Sequence, residues 1–212
     1  MRLDHVSYVA SHDQISDVVQ RIGSQIGTAF VDGGIHPRFG TRNFTAPLLN
    51  GQYVEVVCPL DHPAAEQTPF GKAVSRKAAE GGGWLTWVFS AEDLTPIETQ
   101  LGREAVEGHR RRPDGTDLSW KQIGILELLN QPLLPFFIQW HSPQHPSTDG
   151  KSETEISGLT ISGSEATLNN NLAAPIVREV LAATKVNWVN VEDYEGIISV
   201  EFSVKGNTVS VD

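Results

Sequence analysis

The sequence predicts an α+β fold made of tandem β-α-β-β-β modules with a third, smaller βαβββ-like unit at the C-terminal side, and three observations carry that prediction. First, Leu3 to Ala10 alternates like a strand. Asp13 then caps a helix whose Ile15, Val18, Val19, Ile22 and Ile26 fall on one face. Second, the element order recurs. Asp13 to Gly23 aligns with Glu92 to Gly102 at an offset of 79, which sets "HVSYVAS" against "WLTWVFS". Gly40-Thr41 matches Gly115-Thr116 at 75, and "YVEVVCP" matches "FIQWHSP" at 84, so three landmarks return in the same order. Third, beyond the polar stretch "HPSTDGKSETE" come a strand at Ile156 to Ile161, a helix opened by Pro175, and three further strands to Val211.

The elements follow in order. Within residues 1–62, strand-like segments at Ala29 to Val31, Thr41 to Leu48 and Gln52 to Val57 complete the first module, with Asn50-Gly51 as the hairpin signal. Residues 63–80 are expected as a connector helix, in which "FGKAVSRKAAEGGG" ends on glycines. Residues 81–145 form the second module, 146–155 a linker, and 156–212 the C-terminal unit.

Composition narrows the function. The 212 residues are 39% apolar and 20% charged, as in an ordinary globular protein, and the formal charge of −10 argues against a nucleic-acid surface. The single basic cluster, His109 to Arg112, is too short to reverse that; it reads as a solvated hairpin tip or as a contact for an anionic group at a cleft mouth. Cys58 is the only cysteine, so no internal disulfide forms, and a reducing, cytoplasmic setting is expected. No apolar stretch is long enough to span a bilayer, and no membrane partner is expected. The "GGG" at Gly81 to Gly83 lacks the Lys-Ser/Thr of a nucleotide cradle, and no Ser occupies a G-x-S-x-G elbow.

The stretches "LDHVSYV", "GGIHPRFGTRN" followed by "GQYVEVV", "GWLTWVFSAEDL", "RRRPDGTDLSW" and "LPFFIQWHSPQHPS" together resemble the glyoxalase-like branch of the vicinal oxygen chelate superfamily. The resemblance implies paired modules that curl into a cleft, completed within one chain or across a homodimer. It also implies, in metal-dependent members, one ligand from the first and last strand of each module. Those positions are His5 and Glu55 in the first module and, by the repeat, Trp84 and Gln139 in the second. Trp84 cannot ligate, so His5, Glu55 and Gln139 are the candidate set, with His141 able to join only through a bulge, and the expectation is either no cofactor or one divalent metal.

Strand alternation describes the cleft wall. Glu55 brings Tyr53 inward, His5 brings Ser7, Trp84 brings Thr86, and Gln139 brings Phe137 and His141. A two-residue turn at Asn50-Gly51 would put Arg42 on the face of Glu55. A longer turn would put Thr41, Asn43 and Thr45 there instead. Such a lining suits a small, partly apolar organic ligand. Four readings fit: a metal-dependent lyase or isomerase of glyoxalase type, a metal-free enzyme with Glu55 as base and His5 or Arg42 as its partner, a sequestering protein of the bleomycin-resistance kind, and a cleft that has lost its site and serves in protein association.

Overall fold

The computed structural model describes residues 1–212. The first module runs β1 (Arg2–Val9), α1 (Ile15–Ile26), β2 (Val31–His36), β3 (Thr41–Pro47) and β4 (Tyr53–Pro59). Helix α1 buries Ile15, Ile22 and Ile26 and stops at Gly27, which adopts the left-handed conformation and returns its N–H to the Gly23 carbonyl. The connector is two helices, α2 (Pro63–Gln67) and α3 (Pro69–Ala79). Thr68 separates them: its extended backbone ends the first, its hydroxyl accepts the Gly71 N–H of the second, and Pro69 starts that second helix.

The second module runs β5 (Gly83–Ser90), α4 (Thr95–Leu101), β6 (Val106–Arg111), β7 (Asp117–Ile123), α5 (Ile125–Asn130) and β8 (Phe136–Trp140). It therefore carries a helix, α5, that the first module lacks. The eight strands close into a barrel in the order β1-β4-β3-β2-β6-β7-β8-β5. The two seams between the modules are unequal. Strands β1 and β5 pair from Arg2/Ser90 to Val9/Gly83, whereas β2 and β6 meet only at Ile35/Arg111.

The C-terminal unit contains β9 (Thr154–Ser162), α6 (Glu165–Asn171), α7 (Ala174–Ala183), β10 (Val186–Val189), β11 (Gly196–Val204) and β12 (Asn207–Val211). Its sheet order is β10-β9-β11-β12, with β9 and β10 parallel. In the barrel modules the strand after the helix lies at the far edge, and β1 pairs instead with the last strand, β4. The C-terminal unit shares an element order with the modules but not their pairing, so it is not a third copy. No helix of the chain is long and apolar enough to cross a membrane.

Two apolar clusters result. One lies inside the barrel around Val9, Val57, Val88, Phe136, Ile138 and Trp120, with Phe70 and Val74 of α3 closing it off. The other lies outside the strands, beneath the helices and the C-terminal sheet. The fit between connector and barrel is close at Gly40, where φ is +63° and an added Cβ would sit 2.3 Å from the Ala65 nitrogen. The obstacle is backbone and cannot rotate away. Gly40→Ala is expected to destabilise the fold by roughly 3 kcal/mol in urea unfolding, combining left-handed strain with overpacking; a loss below about 1 kcal/mol would show that the connector moves freely.

Candidate functional site

The barrel interior holds a cavity lined by His5, His36, Asn43, Tyr53, Glu55 and Arg110 on its polar side, and by Phe39, Phe70, Trp120, Phe136, Ile138 and Trp140 on its apolar side. Its volume of about 30 Å³ leaves room for two or three water-sized groups, so it takes the reacting end of a ligand rather than a large body.

Glu55 is the centre of the polar side. Strand β4 presents it inward opposite Ser7 of β1 and Thr45 of β3. The Ser7 hydroxyl donates to one carboxylate oxygen and the Asn43 amide to the other, both at 2.6 Å. Burial disfavours the charge, yet the neighbouring His5 and His36 rings and these two donors outweigh it and hold the acid below its ordinary value. Asn43 in turn accepts a hydrogen bond from Arg110. Burial lowers the Arg110 pKa, though a guanidinium stays charged.

His5 owes its orientation to an irregularity. The β1/β5 register steps from Leu3/Phe89 to His5/Val88, leaving Asp4 as an unpaired, bulged residue. Its fully buried carboxylate therefore reaches the ring of its own neighbour, 2.8 Å from His5 Nδ1. The other carboxylate oxygen takes His145 Nε2 at 3.1 Å, the Trp140 indole N–H and the Arg2 guanidinium. Burial opposes the Asp4 charge, but the bonds from His145 and His5 hold its pKa far below the usual carboxylate range. His5 gives its Nδ1–H to Asp4, which leaves Nε2 outside that bond, and its ring stacks on Tyr53 with centroids 4.3 Å apart. Burial pushes the Tyr53 hydroxyl well above its ordinary pKa, so it stays neutral. His36, bonded to the Thr41 hydroxyl, is driven down to about 3 by burial and by the nearby Arg110 charge.

Of the residues expected in the cleft, His5, Ser7, Asn43, Tyr53 and Glu55 come together. Thr86 is buried opposite Ser7, with its hydroxyl on the Trp87 carbonyl. The others lie elsewhere. Arg42 faces out, because the hairpin turn is three residues, Leu49–Gly51, with Asn50 and Gly51 both at positive φ; Pro47 then pairs with Tyr53 and the inward face is Thr41, Asn43 and Thr45. Its guanidinium binds Asp32 at 2.6 Å, half exposed. Arg42→Ala is expected to change stability by less than about 1 kcal/mol and to leave ligand binding unaltered, as thermal unfolding and titration would show.

Trp84 also points out. Between Ser7/Thr86 and Tyr8/Trp84 the register slips by one residue at Leu85, which turns Trp84 to the outer face, where its indole N–H binds the Val211 carbonyl and its ring lies against Phe202. Strand β8 is in the opposite phase to the expectation. Val9 pairs with Val57 and Val88 with Phe136, so the last strands are related by an offset of 79 rather than 84, an odd difference that flips every side chain. Phe136, Ile138 and Trp140 face in. Phe137 joins the outer core, Gln139 donates to the Glu92 carbonyl, and His141 lies past the strand near Glu107.

These positions can be set against the donors that a divalent metal needs. The second module lines the cavity with Arg110, Trp120, Gln122, Phe136, Ile138 and Trp140, none of them a His, Cys, Asp or Glu, and no group of three or more such side chains is arranged to hold a metal ion. A buried guanidinium occupies the same cavity, and both oxygens of Glu55 already accept short hydrogen bonds. The donor set does not fit a metal.

Asp4 and His36 were not expected as site residues, and Arg110 only as part of the His109–Arg112 cluster, read as a solvated tip or an anion contact at the cleft mouth. For Arg110 a signal existed: alternation along "GHRRRP" puts Gly108, Arg110 and Arg112 on one face, and all three are buried.

Comparison with known proteins follows from this geometry. A hypothetical protein from Staphylococcus aureus superposes with a TM-score of 0.58 at 15% identity, over 99% of this chain and 84% of that one. Methylmalonyl-CoA epimerases from Mycobacterium tuberculosis and Streptomyces coelicolor align less closely. The first gives a TM-score of 0.43 at 14% identity over 66% of this chain and 86% of its own. The second, in complex with 2-nitronate-propionyl-CoA, gives 0.45 at 16% over 67% and 99%. No curated protein matches the sequence. The sequence pattern of the glyoxalase-like domain matches residues 3–176, most of the chain, and with the paired-module barrel it places this protein in the glyoxalase-like domain family of the vicinal oxygen chelate superfamily.

Proposed function

We propose that the barrel cavity binds the reactive end of a small, partly apolar carbonyl compound and moves a proton on the carbon next to the carbonyl, without a metal. Glu55 is the proton acceptor and His5, on the adjacent strand of the same wall, its partner. The observation that supports this best is the buried, ionised Glu55 carboxylate, held by Ser7 and Asn43 at a cavity whose opposite wall is aromatic. A carboxylate fixed by two donors needs no reorganisation to receive a proton, and the surrounding apolar rings keep water away from the carbanion that forms. The Asp4–His5 pair adds an imidazole whose free Nε2 can take up or return a proton.

A second reading, sequestration of a small hydrophobic compound, draws on the same aromatic wall. One experiment separates the two. A panel of small ketones, aldehydes and thioesters is incubated with the protein in D2O after dialysis against a chelator, and the α-proton signals are followed by NMR. Catalysed exchange is the expected result. Binding without exchange for every compound would favour sequestration.

A further inference from the structure

Arg110 is the one strongly buried cation of the chain without a carboxylate of its own. Its side chain is 2% exposed and lines the cavity. Two residues along the same face, Arg112 is also buried, and it meets both oxygens of Asp149. Arg110 takes part in no ion pair; it donates one Nη1 hydrogen bond to the neutral Asn43 amide, and its Nε has no partner at all. Buried guanidinium donors are costly to leave unmatched. The fold nevertheless makes room for this one: at Gly33 of β2 an added Cβ would lie 2.6 Å from Arg110 Nη1 and 2.2 Å from Asn43 Oδ1. The strand passes so close behind the Arg110–Asn43 bond that any side chain there would push those two groups out of place.

Asn43 also sets the distribution of charge. It donates to Glu55 and accepts from Arg110, so one amide lies between the Glu55 carboxylate and the Arg110 guanidinium. The pair is held close without neutralising itself directly. His36 and Tyr53 add no charge at neutral pH.

From this arrangement, and building on the proton-transfer reading above, we infer that Arg110 binds the ligand oxygen on which negative charge develops, and that the site selects carbonyl compounds that enter uncharged. The step balances. The C–H bond next to the carbonyl breaks and its proton goes to the Glu55 carboxylate. The electron pair left on carbon forms the C=C bond, and the carbonyl π pair moves onto oxygen beside the guanidinium. The net charge of the cavity is the same before and after, since the negative charge moves from Glu55 to the ligand oxygen and Arg110 faces it in both states. A carboxylate ligand would instead bring a second negative charge into a site that has balanced its first. Its affinity is thereby suppressed by Glu55, not by lack of a cation.

That asymmetry gives a test that needs no catalysis, with acetate as the probe. Acetate is expected to bind Glu55→Gln at least tenfold more tightly than the wild type, by calorimetry, and Arg110→Met in the Glu55→Gln background is expected to abolish the gain. Equal affinity in wild type and Glu55→Gln overturns the inference, as does a gain that survives Arg110→Met. Should the double variant fail to fold, the Arg110 Nε–H resonance of the single variant decides the matter: it moves on adding acetate if the inference holds, and an unmoved resonance overturns it. Failure of the D2O exchange experiment would remove the role of Glu55 as proton acceptor and leave these measurements standing.

Discussion

Glu55→Gln is expected to slow α-proton exchange by about 10²- to 10⁴-fold, the range for removing a positioned general base, while an uncharged carbonyl compound still binds within about threefold. The local geometry explains why so small a change separates chemistry from binding. The amide oxygen can keep the Asn43 bond, and the new NH2 group can face Ser7, whose hydroxyl turns from donor to acceptor. Shape and hydrogen bonding survive, and only the proton affinity is lost. Exchange at the wild-type rate in this variant would assign the proton transfer to His5. Loss of both exchange and binding would mean that the carboxylate charge holds the ligand.

Acid is expected to destabilise the protein strongly, beginning well above the usual carboxylate range. The His36 pKa is about 3 in the folded chain against an ordinary 6.5, so an unfolded chain accepts a proton that the folded one refuses. Its contribution is complete above about pH 6.5 and declines as the pH falls towards 3, to a total of up to roughly 5 kcal/mol at 1.36 kcal/mol per unit. The groups around the ring are Arg110, whose charge reinforces the effect, and Glu55, which opposes it. Asp4 works in the same direction further down. Its folded value is depressed, so its contribution is present above the unfolded pKa of about 3.9 and is lost as the pH falls through the folded value. Urea unfolding is expected to show a loss of about 2–3 kcal/mol between pH 7 and pH 4.5, reduced in His36→Gln, which keeps a polar partner for Thr41 without the titration. A flat profile over that interval would sink the account.

Much of the fold was legible because it depends on periodicity. The alternation of Leu3 to Ala10 and the single apolar face of α1 are visible in any window of adequate length, and both recur after the connector. What escaped was phase. Asn50-Gly51 announces a turn but does not say whether two or three residues form it, and that one residue decides between Arg42 and Asn43 in the cavity. The slip at Leu85 leaves no mark in the sequence and removes Trp84 from the interior. Helix α5 displaced the local alignment of "FIQWHSP", which resembles β4 but sits in the wrong register. The polar network was half visible. His5, Ser7, Tyr53 and Glu55 followed from alternation, since the irregularities of β1 fall before His5 and after Ser7 and leave the phase between them intact. Asp4 did not, because a bulge lets it act beside its own neighbour.

The two seams of the barrel give it the mechanics of a book. Strands β1 and β5 form a long, continuous spine, and the C-terminal sheet is bound to the outside of that spine through Trp84, whose indole holds the Val211 carbonyl. The fore-edge, at β2 and β6, is closed by a single residue pair. Opening the barrel along the spine would tear a strand ladder and detach a second sheet, whereas parting the fore-edge breaks one residue pair, the Arg110–Asn43 bond and the Arg38 bond to the Glu107 carbonyl. Any widening that admits a ligand is therefore confined to the side where Gly33 and Arg110 face each other. Glu55 and His5 remain in the binding, and Arg110 lies on the page that turns.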